Sequence, residues 1–345
     1  MFKNCTHLQY LIHKAFLCLL LLPLGLSWTL LSGCHSGTST ISRTGFYFDT
    51  VITVTLYDCS DETLLDGCME LAEYYEGLFS ATRESSDVSR INTSAGTPVT
   101  VDSETIALLE QGLYYCDLSD GAFDITIGNL SGLWHFSDNT GSIPAQEDIS
   151  AALATVDYHA VRIDGNRVTL TDANAAIDLG GIAKGYIADR MKDYLTEHGV
   201  TSGHINLGGN VLTLSEKSDH TPYTIGIQKP FAEGSEAYAT VRITDKSVVS
   251  SGVYERCFYV GDVLYHHILD TSTGYPISNG LVSVSIISEH SVDGDGLSTV
   301  CFALGLEDGM LLVESLPNTE AIFITDDMKA HTTSGIGTDI PFELR

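Results

Sequence analysis

The alternation of apolar and polar positions along the chain predicts both strands and helices. Residues 46–57 (FYFDTVITVTLY) alternate and are rich in β-branched side chains, as is typical of a strand, whereas 61–79 repeats apolar positions near helical spacing. A second helix is predicted over 102–118, where Asp-Ser-Glu-Thr forms a capping sequence before an apolar run. A third is predicted over 183–198, ending at Gly199.

The second half of the chain is richer in strand-like segments. These segments are 161–170, 175–179, 204–207, 222–228, 238–250, 256–260, 263–269, 281–288 and 320–325. Two further helices are predicted over 293–305 and 307–315. Helices interspersed with antiparallel-looking strands indicate an α+β fold rather than a doubly wound parallel sheet. Because no long linker follows residue 45, we treat 46–345 as one compact domain.

The first residues have the features of an export signal. The apolar run 15–28 contains a proline and is short for a membrane span, which is typical of a signal-peptide core. The sequence LSGC at 31–34 resembles a bacterial lipobox, with a plain secretory signal as the alternative. We therefore expect 1–33 to be a lipoprotein signal peptide, Cys34 to carry the lipid, and 34–45 to be a tether. This predicts a protein anchored to the cell membrane on its extracytoplasmic face.

The net charge and the cysteine spacing argue against certain partners and certain kinds of site. The formal net charge is −28 with no basic cluster, which argues against a nucleic-acid partner. An anionic small ligand would need a metal ion or backbone amides to offset this charge. Five cysteines remain after Cys34, without disulfide-framework or zinc-site spacing, and we expect them to be small buried hydrophobic residues.

Two glycine-containing segments are candidates for ligand contact. Segment 176–186 (AIDLGGIAKGY) predicts a strand, a glycine turn and a helix start, where free amides and Lys184 could meet an anion. Segment 121–128 (GAFDITIG) places an aspartate and a threonine among apolar residues between two glycines. The structural alternatives are a strand–turn–helix with a surface lysine and a turn that feeds a buried strand.

Three further segments carry polar chemistry. Segment 205–210 (INLGGN) predicts a loop whose backbone faces a ligand, with a tight turn as the alternative. SGVYER at 251–256 and HILDTSTGYP at 267–276 would meet on adjacent strands. There His267 could act as a base oriented by Asp270, although a lone histidine is more often structural.

The last segment, 292–299 (VDGDGLST), begins a helix. Asp295 and Thr299 are four residues apart and therefore share a helix face. A carboxylate and a hydroxyl together suit a hard cation such as Mg²⁺. The structural alternative, an acidic cap at the helix N-terminus, requires no metal.

In this order, the five groups of segments resemble the ApbE-like family of FAD:protein FMN transferases, over roughly residues 46–305. The resemblance implies an α+β fold of two lobes with FAD in the cleft between them. It also implies Mg²⁺ as cofactor, FAD as substrate and frequent lipid anchoring.

The resemblance implies roles for individual positions. Those matching FAD contacts are Phe48, Thr82, Ala122, Phe123, Asp124, Asp178, Lys184 and, through its backbone, Leu269. The carbonyl of Gly181 and the side chains of Asp295 and Thr299 match Mg²⁺ ligands, with Ser298 a weaker candidate. His267 matches the family's proposed catalytic histidine.

The chain departs from the family pattern at three places. Phe48-Asp49-Thr50 stands where many members have Met-Gly-Thr, and Thr82 where many have an aromatic residue. Thr271 replaces a proline. The first two departures affect the expected FAD pocket, and none affects the expected metal ligands.

These observations lead to one expected activity and two alternatives. The acceptor hydroxyl would attack the FMN-side phosphorus of FAD and release AMP, leaving FMN on a Thr or Ser of the acceptor. The alternatives are a Mg²⁺-dependent FAD pyrophosphatase that yields FMN and AMP, and a non-catalytic flavin-binding surface lipoprotein. By resemblance, the acceptors are FMN-binding domains of membrane redox complexes of the Rnf kind or of the sodium-pumping NADH:quinone reductase (Nqr) kind.

Overall fold

The structure, a computed structural model, describes residues 39–136, 141–232, 234 and 236–345. Residues from Ser39 to Arg345 form one compact unit. The predicted signal peptide 1–33 and the predicted lipidation site Cys34 lie outside the described residues. Within the described part of the chain, no helix is both long and apolar enough to cross a membrane.

Helices and strands both recur along the described chain. The helices are α1 Thr63–Phe79, α2 Asp87–Asn92, α3 Ser103–Leu118, α4 Gly128–Trp134, α5 Gln146–Leu153, α6 Ala183–Glu197, α7 Ser291–Leu304 and α8 Leu306–Ser315, with a 3₁₀ turn at Tyr158–Ala160. The strands are β1 Thr40–Tyr47, β2 Thr50–Tyr57, β3 Val99–Thr100, β4 Val161–Asp164, β5 Arg167–Leu170, β6 Gly203–Leu207, β7 Asn210–Leu214, β8 Tyr223–Gln228, β9 Ala237–Ile243, β10 Ser247–Gly252, β11 Cys257–Val260, β12 Val263–His266, β13 Leu281–Ser288, β14 Glu320–Thr325, β15 Ala330–Thr332 and β16 Phe342–Leu344.

The main sheet has eight strands in the order β1-β2-β6-β7-β10-β13-β14-β15, and neighbouring strands run antiparallel. Every residue of β13 is buried, because the strand lies inside the sheet and α7 packs on β13 and β10. α6 packs in turn against α7. The expected α+β fold is confirmed, and the main core lies between this sheet and its helices.

A second, smaller core lies beside the two-stranded sheet β11-β12. It consists of Leu130, Trp134, Phe136, Ile149, Phe258 and Leu269. The rings of Trp134 and Phe136 stack at 5.6 Å, and Phe136 stacks on Phe258 at 5.4 Å. This aromatic cluster supports the hairpin β11-β12 from one side, so the residues that follow β12 are held by packing on it.

The strand predicted over 46–57 is wrong in its extent. The chain forms the hairpin β1-β2, whose turn residues Phe48 and Asp49 have φ of 53° and 54°. The turn was missed because non-glycine residues rarely adopt these angles and the sequence carries no Asn-Gly or Asp-Gly signal. The tether predicted over 34–45 is also too long, because Thr40 already pairs with Tyr57 in the main sheet.

Other boundaries differ in similar ways. The strand predicted over 238–250 is two strands, β9 and β10, and that over 161–170 is the hairpin β4-β5. Segment 175–179 makes one isolated bridge, Ile127 with Ala176, and otherwise forms a loop. The five cysteines from Cys59 onward have free thiols, and three are buried while two are half-buried. The five predicted helices are confirmed, with ends shifted by at most two residues.

Candidate active site

The glycine turn before α6 is held by Asp178. Its Oδ1 accepts a hydrogen bond from the Gly180 amide at 2.8 Å, and its Oδ2 accepts one from Ser131 Oγ at 2.7 Å. The Asp178 amide donates to the Ile125 carbonyl at 2.8 Å, which joins the turn to segment 121–128. Asp178 therefore shapes the backbone of the turn.

Asp295 caps the first turn of α6. The Gly185 amide is one of the first amides of this helix, which have no carbonyl partner within it, and it donates to Asp295 Oδ2 at 2.9 Å. Within the described residues, no hydrogen bond engages the Gly181 carbonyl. Thr299 is close by, since a Cβ built on Gly181 would lie 3.9 Å from its Oγ1. Three predicted metal ligands, Gly181, Asp295 and Thr299, thus meet at this turn.

Lys184 also lies at the glycine turn before α6. Its Nζ donates to the Gly180 carbonyl at 3.2 Å and lies 3.5 Å from Asp295 Oδ1. A positive group therefore already lies between a turn carbonyl and a carboxylate that is only 5% exposed. This arrangement fits a hard cation, because oxygen atoms of these kinds are its usual ligands. Among the described residues, no three His, Cys, Asp or Glu side chains cluster as a metal site, so a cation here would depend on carbonyl, hydroxyl and ligand oxygens.

Ser298 and Thr299 differ in their surroundings. Ser298 is fully buried, and its Oγ donates to the Asp295 carbonyl at 2.9 Å. Thr299 is partly exposed towards the turn. Ser251 on β10 lies 2.8 Å from Ser298 Oγ and 3.4 Å from Thr299 Oγ1. Thr299 is thus better placed than Ser298 to meet a ligand.

His267 follows β12, and its amide donates to the Arg256 carbonyl at 3.1 Å. Burial, together with the charges of Arg256, His266 and Lys184, lowers the pKa of His267 to about 3. His267 is therefore neutral at neutral pH, as a general base requires. Its Nδ1 is buried without a hydrogen-bond partner, which costs about 1–3 kcal/mol unless a bound molecule supplies a donor.

The predicted pairing of His267 with Asp270 is wrong. Asp270 Oδ1 accepts hydrogen bonds from the amide and the hydroxyl of Ser272, at 2.7 and 2.6 Å. These local bonds lower the pKa of Asp270, although burial raises it. Because Nδ1 of His267 has no partner, Asp270 does not orient the ring. Its carboxylate instead stabilises the loop after Leu269, a buried residue of the aromatic cluster.

In segment 121–128, Asp124 is engaged within the protein. Asp124 Oδ1 accepts from the Thr126 amide and hydroxyl at 2.7 and 2.6 Å, and Oδ2 accepts from the Tyr158 amide at 2.9 Å. Phe123 is buried with its ring against Gly181. Ala122, which is partly exposed, adjoins Gly121, whose carbonyl accepts from Thr271 Oγ1 at 2.8 Å. Thr271 thereby joins this segment to the loop that follows His267.

Phe48 and Thr82 lie at the same end of α1. The Phe48 amide donates to Glu76 Oε1 at 2.6 Å, and Glu76 also pairs with Arg83, the neighbour of Thr82. The Thr82 side chain is exposed and contacts Ser80 Oγ at 3.1 Å. Glu76 therefore contacts Phe48 and the neighbour of Thr82, at two of the three places where the chain departs from the family pattern. No motif in the sequence indicates this link.

Sequence reasoning also assigned no role to several charged or polar residues of this site. Glu255 is exposed at its surface, yet the protein around it raises its pKa to about 7 by desolvation, with Lys184 and Arg256 lowering the pKa and Asp295 raising it. Arg256 is exposed, and its side chain makes no ion pair among the described residues. The motif SGVYER at 251–256 is visible in the sequence, but only the fold shows that Glu255 lies near Lys184.

Two surface cavities lie elsewhere. They measure about 230 and 610 Å³, and both are lined by Gln111 and Asp293. None of the predicted site residues lines either cavity.

Comparison with known proteins identifies the family. A profile of the ApbE family matches residues 48–323. A protein of Klebsiella pneumoniae named FAD:protein FMN transferase is 41% identical over 268 residues, covering 77% of this chain and 83% of the relative. One of the same name from Treponema pallidum is 34% identical over 288 residues, covering 79% and 80%.

Solved structures with a similar fold also belong to this family. The crystal structure of an ApbE protein from Thermotoga maritima has a TM-score of 0.78 and 32% identity, covering 86% of this chain and 97% of that one. The flavin transferase ApbE from Vibrio cholerae has a TM-score of 0.78 and 27% identity, covering 86% and 98%. On the profile match, the sequence identities and the shared fold, this chain belongs to the ApbE family.

Proposed function

We propose that this chain is a Mg²⁺-dependent FAD:protein FMN transferase. The name of its relatives supports the activity. The observation that supports the metal requirement is that Asp295 and Thr299 both lie at the glycine turn, where no hydrogen bond engages the Gly181 carbonyl among the described residues. An unpaired backbone carbonyl is available as an oxygen ligand.

Gly181, Asp295 and Thr299 would hold the Mg²⁺ ion, and FAD phosphate oxygens would complete its ligands. When bound, the ion would neutralise charge that develops on the diphosphate. Lys184 would contact the same phosphates, since its ammonium already lies at the turn. Together these groups offset the repulsion that a protein of net charge −28 exerts on an anionic substrate.

His267 acts on the acceptor. A hydroxyl of the acceptor loses its proton to the neutral imidazole while its oxygen forms a bond to the FMN-side phosphorus. The bond between that phosphorus and the bridging oxygen breaks, and AMP leaves with the electron pair. Proton removal by a positioned base contributes about 10²–10⁴-fold to the rate. The charge of Arg256 helps to keep His267 neutral.

One incubation separates the three candidate activities. The protein is mixed with FAD, Mg²⁺ and a candidate acceptor domain, and the products are followed by mass spectrometry. A mass gain of one FMN on the acceptor, with AMP released, is the expected result. Free FMN and AMP with an unlabelled acceptor would indicate a pyrophosphatase, and intact FAD would indicate a flavin-binding protein.

Asp295→Asn tests the metal requirement in the same assay. The amide keeps the shape of the side chain but removes the charge, so Mg²⁺-dependent transfer should be lost. Asp293→Asn is the matched control, because Asp293 lies on the same helix and accepts from Tyr115 at 2.6 Å, facing away from the turn. Equal activity in the two variants would exclude the metal site described above.

We also propose that Cys34 anchors the enzyme to the outer side of the membrane, near acceptor domains of Rnf-type or Nqr-type complexes. Five residues, 35–39, separate Cys34 from Thr40, the first residue of β1. Such a stretch spans at most about 20 Å, so the domain would lie close to the lipid surface. Cys34→Ser should move the protein from the membrane fraction to the soluble fraction, and unchanged fractionation would exclude the anchor.

A further inference from the structure

Three hydroxyl groups lie where α7 packs against β10: two on α7 and one on β10. Ser251 Oγ on β10 lies 2.8 Å from Ser298 Oγ and 3.4 Å from Thr299 Oγ1 on α7. Ser298 is fully buried, whereas Ser251 and Thr299 are partly exposed. None of the three groups is charged, so the direction of their hydrogen bonds follows from counting protons.

A hydroxyl has one proton to donate and two lone pairs that accept. Ser298 Oγ donates its proton to the Asp295 carbonyl at 2.9 Å, an atom that can only accept. In the contact between the two serines, Ser251 must therefore be the donor. Its own proton is then used, and in the contact with Thr299 the threonine must donate. The protons run in one direction, from Thr299 through Ser251 and Ser298 to the Asp295 carbonyl.

This direction has a consequence for Thr299. A threonine within a helix often donates its proton to the carbonyl four residues earlier, which for Thr299 is that of Asp295. Ser298 occupies this carbonyl, and the Thr299 proton points to Ser251 instead. Both lone pairs of Thr299 Oγ1 then remain available on the side that faces Gly181. At 3.4 Å the contact is long, and a cation on these lone pairs would make the hydroxyl a stronger donor.

We infer that Ser251 is a positioning residue for the candidate metal site, and that it directs the proton of Thr299 away from a bound cation. The inference rests on the proposed function, because it presupposes that Thr299 binds Mg²⁺. Ser298 then links Ser251 to Asp295 and is not itself a ligand. Outer residues of this kind commonly change metal affinity by about 10–100-fold when they are removed.

The test measures metal binding directly. Mn²⁺, which takes the same oxygen ligands, is titrated into the full-length protein at saturating FAD without acceptor and followed by electron paramagnetic resonance. Ser251→Ala should weaken Mn²⁺ binding by about 10-fold or more. Ser251→Thr, which keeps the hydroxyl, should restore binding. FAD affinity in the absence of metal should be unchanged in both variants.

Ser250→Ala is the matched control. Ser250 is the preceding residue of β10, and its Oγ pairs with Ser285 Oγ at 2.7 Å, away from α7. It should bind Mn²⁺ as the wild type does. The inference is overturned if Ser251→Ala binds Mn²⁺ normally, or if Ser250→Ala weakens binding as much, since the effect would then come from the strand and not from Thr299.

Asp295→Asn separates this failure from failure of the proposed function. If Asp295→Asn binds Mn²⁺ as tightly as the wild type, the metal site itself is excluded, and the role of Ser251 with it. If Asp295→Asn loses Mn²⁺ while Ser251→Ala retains it, the metal site stands and only the inference about Ser251 is overturned.

Discussion

The two halves of the candidate site are held in different ways. We call the turn 176–186 together with 291–299 of α7 the metal side, and hairpin β11-β12 with the loop 267–276 the histidine side. On the metal side, hydrogen bonds fix the Asp295 carboxylate and the hydroxyls beside it. On the histidine side, aromatic packing holds the backbone, while Nδ1 of His267 has no partner.

The difference indicates a division of labour. On the metal side, hydrogen bonds hold the protein groups in place before the cation and the phosphates bind. The histidine side is complete only when a bound molecule supplies a hydrogen bond to His267. A transferase needs this difference, because FAD must stay bound while the acceptor, a separate protein, binds and dissociates.

The strongest test of this division is His267→Ala. It should slow FMN transfer by about 10²–10⁴-fold, the usual contribution of a general base. FAD affinity and Mn²⁺ affinity should stay close to the wild-type values, because no hydrogen bond joins His267 to the metal side among the described residues. The measurements are single-turnover transfer and titrations of each ligand. Loss of FAD binding in this variant would make His267 a pocket residue instead of a base.

Gly185→Ala should damage the metal side instead. A Cβ on Gly185 would lie 2.3 Å from the Ser291 carbonyl oxygen, so α6 and α7 would have to separate. We expect a loss of about 1–3 kcal/mol in the free energy of unfolding, together with weaker Mn²⁺ binding. Denaturant unfolding measures the first effect.

Gly77→Ala provides the control for that experiment. Gly77 also lies within a helix, and a Cβ there would have no neighbour within 4 Å. Replacing it should stabilise the protein by up to about 1 kcal/mol through helix propensity. Equal effects of the two substitutions would show that helix propensity, and not the approach of α6 to α7, decides the outcome at Gly185.

The pH dependence of the reaction should report on the histidine side alone. Burial and the nearby cations lower the pKa of His267 to about 3, so the free enzyme keeps its base neutral far below the ordinary histidine range. The diphosphate of bound FAD brings negative charge, which favours the protonated imidazole and raises this pKa. As pH falls from 7 to 5, kcat should therefore decline while kcat/KM for FAD does not.

This separation follows because kcat reports the complex and kcat/KM reports the free enzyme. A decline of kcat/KM near pH 6.5 would contradict the low pKa of His267 in the empty site. Steady-state rates across this pH range, with the stability of the protein checked at each point, provide the measurement.

More of the metal side than of the histidine side could be predicted from the sequence. On the metal side, the i, i+4 spacing of Asp295 and Thr299 was enough to place them on one face, and the glycine turn marked the approach of the backbone. The bond from the Gly185 amide to Asp295 could not be foreseen, because it depends on how closely α6 crosses α7. Local spacing therefore indicated which residues matter but not how they are connected.

On the histidine side, proximity in sequence was misleading. Asp270 lies three residues from His267, yet an aspartate in a turn most readily binds the backbone two residues on, as it does here with Ser272. The same preference explains Asp124, which binds Thr126. The hairpin turn at Phe48 was missed because its positive φ contradicts the usual preference of a bulky residue.

The smallest expected effect concerns a hydrogen bond between segment 121–128 and the histidine side. Thr271, where the family commonly has proline, donates from Oγ1 to the Gly121 carbonyl at 2.8 Å. Thr271→Val keeps the shape of the side chain and removes this hydrogen bond, which is worth about 1 kcal/mol. Because Gly121 is partly exposed, water can reach its carbonyl, and the cost should stay near this value.

Thr271→Val should therefore lower the free energy of unfolding by about 1 kcal/mol, and transfer should slow a few-fold because the loop carrying Leu269 loses its connection to Ala122. Thr271→Ser, which keeps the hydroxyl, should behave as the wild type. Thr271→Ser is therefore the matched control. If Thr271→Val is as stable as Thr271→Ser, the bond to Gly121 contributes nothing. The two segments would then be aligned by packing.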